Sequence, residues 1–139
     1  MTEMFSVSNS VGQLLEIRVV SPFSINDAGA LFKQIYKAMP RGRFARVICD
    51  LRHLRVVDPE IIDLVSGMMR LDNPYVERNA FLIPGTGALL SLQSERMLKQ
   101  LGAANRRSFS DRQEAEDWMA EILTPEEQTR LATFLDEAR

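Results

Sequence analysis

Residues 44–59, FARVICDLRHLRVVDP, decide the fold class of this chain. Val47-Ile48-Cys49 is apolar on both faces and too short for a helix, so it predicts a strand in the centre of a sheet. Asp58-Pro59 then predicts a helix start. Asp caps free amide groups there, and the missing N–H of Pro costs nothing at the first helical position. A buried strand that leads into a helix is typical of α/β proteins with parallel strands.

The chain after Pro59 continues this alternation of helices and strands. Apolar residues at helical spacing, Gly and Pro breakers, and short apolar runs mark the elements. They are a helix from Asp58 to Asn73, a strand at 80–83, a helix at about 87–101 ended by a left-handed Gly102, an edge strand at 107–110 and a helix capped by Asp111.

The chain before residue 44 predicts a hairpin and one helix. Strand 13–20 has three apolar residues on one face and Glu16 and Arg18 on the other, so we expect a half-exposed strand near a sheet edge, with both charges in solvent. Ser24 and Asp27 resemble a capping box at the start of a helix that ends at Pro40.

A separate helix is predicted at the end of the chain, starting at Thr124-Pro125-Glu126-Glu127. A short helix of this kind is not stable alone in water, so it packs on its own domain or forms a homodimer. We therefore divide the chain into a domain at 1–123 and an amphipathic helix at 124–139. The fold class is α/β: a mixed, mainly parallel sheet of four to five strands, four packing helices and the extra C-terminal helix.

Composition narrows the function classes. The chain has 139 residues, 45% hydrophobic and 26% charged, with a net charge of −2, so it has no overall basic field for nucleic acid or anionic membranes. The cluster Arg41, Arg43 and Arg46 is interpreted as solvated loop charge. No apolar run approaches the ~20 residues of a membrane span, and the first residues do not resemble a signal peptide, so we expect a cytoplasmic setting.

Metal and redox chemistry have little support in the sequence. Cys49 and His53 are the single residues of their kinds, which excludes an internal disulfide and the usual zinc quartet. We expect Cys49 to be buried and unreactive, and we expect no metal, cofactor or catalytic residue.

The element order and one segment resemble the STAS domain, the domain of sulfate transporters and anti-sigma factor antagonists, including the bacterial STAS/SEC14-like proteins. The resemblance covers about residues 4–123. In anti-sigma factor antagonists a strand ends in Asp-Leu, and a second Asp follows eight residues after the first, directly before a helix. Asp50-Leu51 and Asp58 keep this spacing. The resemblance implies regulation by binding a kinase-like or sigma-related protein.

The phosphorylation site of that family is missing here. Two hydroxyl residues and a glycine follow the second Asp in the family, one hydroxyl being phosphorylated, whereas this chain has Pro59, Glu60 and Ile61. We predict a partner-binding surface at Asp58, Pro59 and Glu60. Glu60 is either a first-turn Glu favoured by the helix dipole or a fixed charge that partly imitates a phosphate.

Other functions stay open as alternatives. Gly85, Thr86 and Gly87 precede a helix and could hold an anion, although the P-loop lysine and the dinucleotide glycine spacing are absent. A carrier or sensor for a lipid, a nucleotide or another small ligand is the second hypothesis, since the chain's seven Met and seven Phe offer adaptable apolar lining. His53 has no nucleophile nearby in sequence, so an enzyme is not expected.

Overall fold

The structure, a computed structural model, describes residues 4–55, 57–85, 88–102 and 104–137. Strands and helices alternate through most of the chain. In order, the elements are β1 (Phe5–Ser8), β2 (Leu14–Val19), α1 (Ile25–Ala38), β3 (Ala45–Asp50), α2 (Pro59–Asp72), a short 3-10 helix (Asn73–Tyr75), β4 (Val76–Leu82), α3 (Ala88–Leu101), β5 (Arg106–Phe109), α4 (Arg112–Ala120) and α5 (Pro125–Asp136).

The strands form one five-stranded sheet in the order β1-β2-β3-β4-β5. β1 and β2 are antiparallel, and β2, β3, β4 and β5 are parallel to one another. Spatial order thus equals chain order, so the crossover helices α1, α2 and α3 all lie on one face. The predicted α/β class, with its mixed and mainly parallel sheet, is confirmed.

Alternate residues of each strand enter two separate cores. Val47 and Cys49 of β3 face the core under α1, α2 and α3, whereas Ile48 faces the core under α4 and α5. The second core is closed by Trp118 and Met119 of α4 and by three residues of α5, which are Leu131, Phe134 and Leu135. The C-terminal helix therefore packs on the sheet of its own chain.

Most predicted helix caps are confirmed. Ser24 and Asp27 form a capping box at α1, Thr124 and Glu127 form another at α5, and Gly102 has φ 59 after α3. The cap predicted at Asp58 is wrong in part. Pro59 occupies the first turn of α2, but the Asp58 side chain makes no cap hydrogen bond.

The exposure predicted for β2 is also wrong. Glu16 is 1% exposed, and the Arg18 side chain lies under α5 with 21% of its surface exposed. The alternating pattern identified the two faces of the strand correctly. The charged face is buried because α5 covers it, and its charges are neutralised by partners from distant parts of the chain.

Candidate functional site

The predicted partner-binding residues lie at an open corner of the molecule. Asp58, Pro59 and Glu60, which we call the α2 corner, follow the carboxyl end of β3 and are all exposed. Asp58 has an extended backbone (φ −63, ψ 143), and its carboxylate accepts no hydrogen bond from the first turn of α2. The corner therefore presents two carboxylates to solvent beside a helix N-terminus.

The loop before the corner is fixed at its start by Asp50. The Asp50 carboxylate accepts a hydrogen bond from the backbone N–H of Arg52 at 3.1 Å. It also forms an ion pair with the Arg52 guanidinium, in which Oδ1 lies 2.9 Å from Nε. The Leu54 N–H donates to Leu51 O at 3.0 Å and closes a turn. The path of the chain out of β3 is therefore set by local hydrogen bonds.

Further hydrogen bonds hold the loop against neighbouring elements on two sides. The Arg55 N–H donates to the Ser21 hydroxyl at 2.7 Å, and the Ser21 N–H donates to His53 O at 3.3 Å. On the other side, the Gln93 amide of α3 donates to Val57 O at 2.9 Å. The α2 corner thus follows a loop that is hydrogen-bonded to neighbouring elements on both sides.

A buried charge cluster connects this loop to α5. Asp50, 1% exposed, lies between Arg18 and Arg52. Burial alone would raise the pKa of Asp50. The pKa is instead lowered below its ordinary value, because Arg52 contributes hydrogen bonds and a positive charge and Arg18 contributes a further hydrogen bond. The two arginines also donate to the last carbonyls of α5: Arg18 to Phe134 O and Arg52 to Leu135 O, both at 2.6 Å. The cluster thereby caps the helix C-terminus.

The start of α5 is held by a second cluster. The Glu127 carboxylate accepts from the Gln13 N–H at 2.7 Å, from the Thr124 N–H at 2.9 Å and from the Arg46 guanidinium at 2.7 Å. These bonds outweigh the effect of burial and lower the pKa of Glu127. Of these contacts, the sequence predicted only the capping box of Thr124 and Glu127, because the other partners of Glu127 are as many as 114 positions away.

The predicted anion site is described only in part. Gly85 lies in an exposed turn after β4, and a Cβ added there would meet nothing within 4 Å among the residues that the structure describes. Thr86 and Gly87 lie outside the described residues. No geometry of this structure therefore bears on an anion at that turn.

Cys49 and His53 lie in different environments. Cys49 is buried, and burial raises the pKa of its thiol to about 11, so the thiol is protonated at neutral pH. His53 is exposed in the loop. Within the described ranges, no three His, Cys, Asp or Glu residues are grouped so as to hold a metal ion.

An apolar cavity of about 120 Å³ lies between the sheet and helices α1, α2 and α3. Val47 and Cys49 line it from the sheet, and Leu54, Val57 and Ile61 line it from the loop and first turn that carry the α2 corner. Its size is near that of an engineered cavity of about 150 Å³ that binds benzene. It suits a small apolar molecule and is much too small for a membrane lipid.

No protein-family model matches the chain, and neither the curated proteins nor the solved structures contain a significant match to it. Across the part of the chain that the structure describes, every helix is too short or too polar to cross a bilayer.

Proposed function

We propose that this chain is a non-enzymatic, STAS-like regulatory domain that binds a protein partner at the α2 corner. The observation that carries the proposal is the exposure of Asp58, Pro59 and Glu60 on a loop fixed at both sides. A rigid, solvent-facing group loses little conformational entropy on binding, which favours recognition at such a place.

The electrostatics of the corner support the proposal. The Asp58 carboxylate accepts no cap hydrogen bond, so its lone pairs are available to donors on another molecule. Glu60 is in the same first turn and adds a second negative charge. A partner with Lys or Arg at the matching position would form charge-assisted hydrogen bonds with both.

The outer face of α2 adds an apolar surface to these charges. Leu64 and Leu71 follow Glu60 by four and eleven positions, so they share one side of the helix, and they are 36% and 69% exposed. An apolar strip beside a charged end matches the usual composition of protein interfaces, which have an apolar centre and a polar rim. The proposed surface thus extends from the corner along α2.

The missing hydroxyl residues determine the kind of regulation that we propose. Pro59 and Glu60 stand where the resembled family carries its phosphoacceptor, and neither can be phosphorylated. The corner therefore has a fixed negative charge instead of a switchable one. We propose that the partner is a kinase-like or sigma-related regulator in the cytoplasm, and that Glu60 holds the domain in one binding state.

Matched variants test this proposal. Three proteins are immobilised and incubated with lysate of the source cells. They are the full chain, the corner variant Asp58→Ala/Glu60→Ala and the control Glu114→Ala/Glu126→Ala. The control removes the same two charges from exposed positions on α4 and α5. A protein retained by the full chain and the control, but lost from the corner variant, is then purified and titrated.

The expected result is a loss of affinity of about tenfold or more for the corner variant, and less than about twofold for the control. Equal affinity of every identified partner for all three proteins would contradict the proposal. So would measured turnover of a small molecule by the purified chain.

A small-ligand sensor is the second candidate, and the apolar cavity is the observation that favours it. Cavity-lining residues Leu54, Val57 and Ile61 belong to the segments that carry the α2 corner. Native mass spectrometry of the protein from its own host tests this candidate. A small apolar molecule that co-purifies would favour the sensor, whereas clean protein with a stable partner would favour the regulator.

A further inference from the structure

A second surface feature lies at the opposite end of the sheet from the α2 corner. Phe44 directly precedes β3, whereas the α2 corner follows the loop that leaves the other end of that strand. Here a groove of about 760 Å³ is lined by residues that include Tyr36, Phe44, Tyr75, Arg41, Arg43 and Asp72. We call it the aromatic groove.

The aromatic rings of the groove are unusually exposed. Tyr36, Phe44 and Tyr75 are 83%, 57% and 60% exposed, and they come from α1, the residue before β3 and the 3-10 helix. Each such side chain can bury about 150–250 Å² in a well-packed contact. Exposed apolar side chains grouped around one groove are a common feature of interaction sites.

The backbone that carries these rings is fixed by the fold. Phe44 O accepts a hydrogen bond from the Gln13 amide at 2.7 Å. Asn73, in the same 3-10 helix as Tyr75, accepts from the buried Arg106 guanidinium at 2.7 Å. The groove is therefore formed by parts of the chain that neighbouring elements hold in position, and the exposed rings are attached to them.

The charges around the groove are positive and largely uncompensated. The chain has no acidic residue between Asp27 and Asp50. Among the residues that the structure describes, Arg41 and Arg43 form no ion pair, whereas Arg46 pairs with Glu77 and Glu127. The interpretation of all three arginines as solvated loop charge is therefore wrong for Arg46, while Arg41 and Arg43 are exposed at the groove.

The carboxylate of Asp72, a hydrogen-bond acceptor, distinguishes the groove from a simple anion site. Asp72 is half-buried in its lining, and burial raises the pKa of this carboxyl, opposed by the charge of Arg106. A phosphate backbone carries a charge at every nucleotide and would bring some of these charges near Asp72, whereas a peptide can have separate carboxylates at Arg41 and Arg43 and a neutral backbone at Asp72. A polypeptide, in contrast, can donate its backbone N–H to this carboxyl.

We infer that the aromatic groove binds an acidic peptide segment of a partner protein, with an apolar side chain lodged among the three rings and carboxylates on the two free arginines. Tyr and Arg are enriched among the residues that dominate binding energy at protein interfaces. Carboxylate pairing with a guanidinium can use two parallel hydrogen bonds, which gives the contact direction as well as strength.

This inference goes beyond the function proposed for the α2 corner, because it assigns a ligand to the region where β3 begins. β3 has six residues, so about 20 Å of strand separates this region from the α2 corner. Helix α2 runs between the two, and Leu71 directly precedes Asp72 of the groove lining. A partner that covered the whole of α2 would therefore border the groove.

A peptide-display experiment tests the inference. Random twelve-residue peptides displayed on phage are selected on the full chain, and enriched sequences are synthesised with a fluorescent label. Their affinities are measured for the full chain, Arg41→Glu/Arg43→Glu, Tyr75→Ala, and the charge-matched control Arg96→Glu/Lys99→Glu on α3. The altered residues are exposed, and thermal unfolding checks that every variant is folded.

The expected consensus combines Asp or Glu with an aromatic or other large apolar residue. Its affinity should fall about tenfold or more in the two groove variants and less than about twofold in the control. It should also be unchanged in Asp58→Ala/Glu60→Ala, which separates this test from that of the α2 corner.

Three results would overturn the inference. One is the absence of enriched peptides, or enrichment that Arg41→Glu/Arg43→Glu does not affect. Another is tighter binding of a twelve-nucleotide thymidine strand than of any selected peptide, which would make the groove a nucleic-acid site. The third is a salt-sensitive dimer in light scattering that Arg41→Glu/Arg43→Glu abolishes, which would make the occupant a second copy of this chain.

Discussion

Arg130 of α5 forms a bidentate ion pair with Glu16 of β2, a residue 114 positions earlier in the chain. Arg130 Nη2 lies 2.6 Å from Glu16 Oε1, and Arg130 Nε lies 3.0 Å from each carboxylate oxygen. Glu16 is 1% exposed, so its charge is separated from water and depends on this partner. The pair connects the C-terminal helix to the centre of the charged sheet face.

The first prediction concerns the loss of that partner. Arg130→Ala should lower the free energy of unfolding by about 2–3 kcal/mol, because Glu16 would be left buried and unpaired. The estimate lies below the value of a fully buried pair, since the Arg130 side chain is 24% exposed. Urea unfolding followed by circular dichroism measures the difference, with exposed Arg96→Ala as a control expected to change it by less than about 0.5 kcal/mol.

Replacing both residues of the Glu16–Arg130 pair should destabilise the protein much less than replacing Arg130 alone. Glu16→Leu/Arg130→Met leaves no buried charge at the position of this pair, so we expect its free energy of unfolding to stay within about 1 kcal/mol of that of the wild-type protein. A double variant as unstable as Arg130→Ala would show that the pair is not the reason for the loss.

The second prediction concerns the stability of the folded protein at acid pH. Asp50 and Glu127 have pKa values lowered in the folded protein, so the unfolded chain binds more protons once the pH falls to about 4. Their contribution to stability is therefore complete above about pH 5 and is lost as the pH falls below about 4 towards the folded pKa values. Denaturant unfolding between pH 7 and pH 3 should show this decline.

A control variant identifies the groups responsible for the acid effect. Asp50→Asn/Glu127→Gln should be less stable at pH 7 but should have a flatter profile below pH 5. An equally steep decline in this variant would assign the effect to other carboxylates.

The third prediction compares two glycines. Gly29 lies inside α1 and Gly42 has φ +70, and a Cβ would meet nothing within 4 Å at either position. Gly29→Ala should raise the free energy of unfolding by about 0.5–1 kcal/mol, because alanine loses less backbone entropy in a helix. Gly42→Ala should lower it by about 1 kcal/mol, because a left-handed conformation strains any residue with a Cβ. Thermal unfolding compares both variants, and equal shifts would contradict the assigned backbone angles.

The fourth prediction compares two residues at helix starts. Asp111 accepts from the Gln113 N–H at 2.8 Å, whereas Asp58 makes no side-chain cap bond. Asp111→Ala should therefore cost about 1 kcal/mol of stability. Asp58→Ala should cost only a few tenths of a kcal/mol, through the helix dipole. A loss at Asp58 as large as at Asp111 would mean that its carboxylate caps α2 in solution and is less available to a partner.

Local sequence patterns predicted much of the fold. The apolar stripes of the helices and the capping residues at Ser24 and Thr124 act over a few neighbouring positions, and they appear in the structure as expected. The period of two in β2 identified the two faces of the strand but not the burial of its charged face. The spacing of Asp50 and Asp58 also predicted a helix start shortly after a central strand. In the structure this helix start, the α2 corner, is exposed.

The sequence by itself determined which residues share a strand or helix face and in what order the elements follow. Tertiary structure alone decided what covers each face. Glu16 is buried because α5 packs over β2. Tyr36, Phe44 and Tyr75 line one groove because α1 and the 3-10 helix end, and β3 begins, at the same end of the sheet. The physical reason is distance. Periodicity and capping depend on bonds within one turn or one strand pair, whereas burial and ion pairing depend on side chains that only the folded chain brings together.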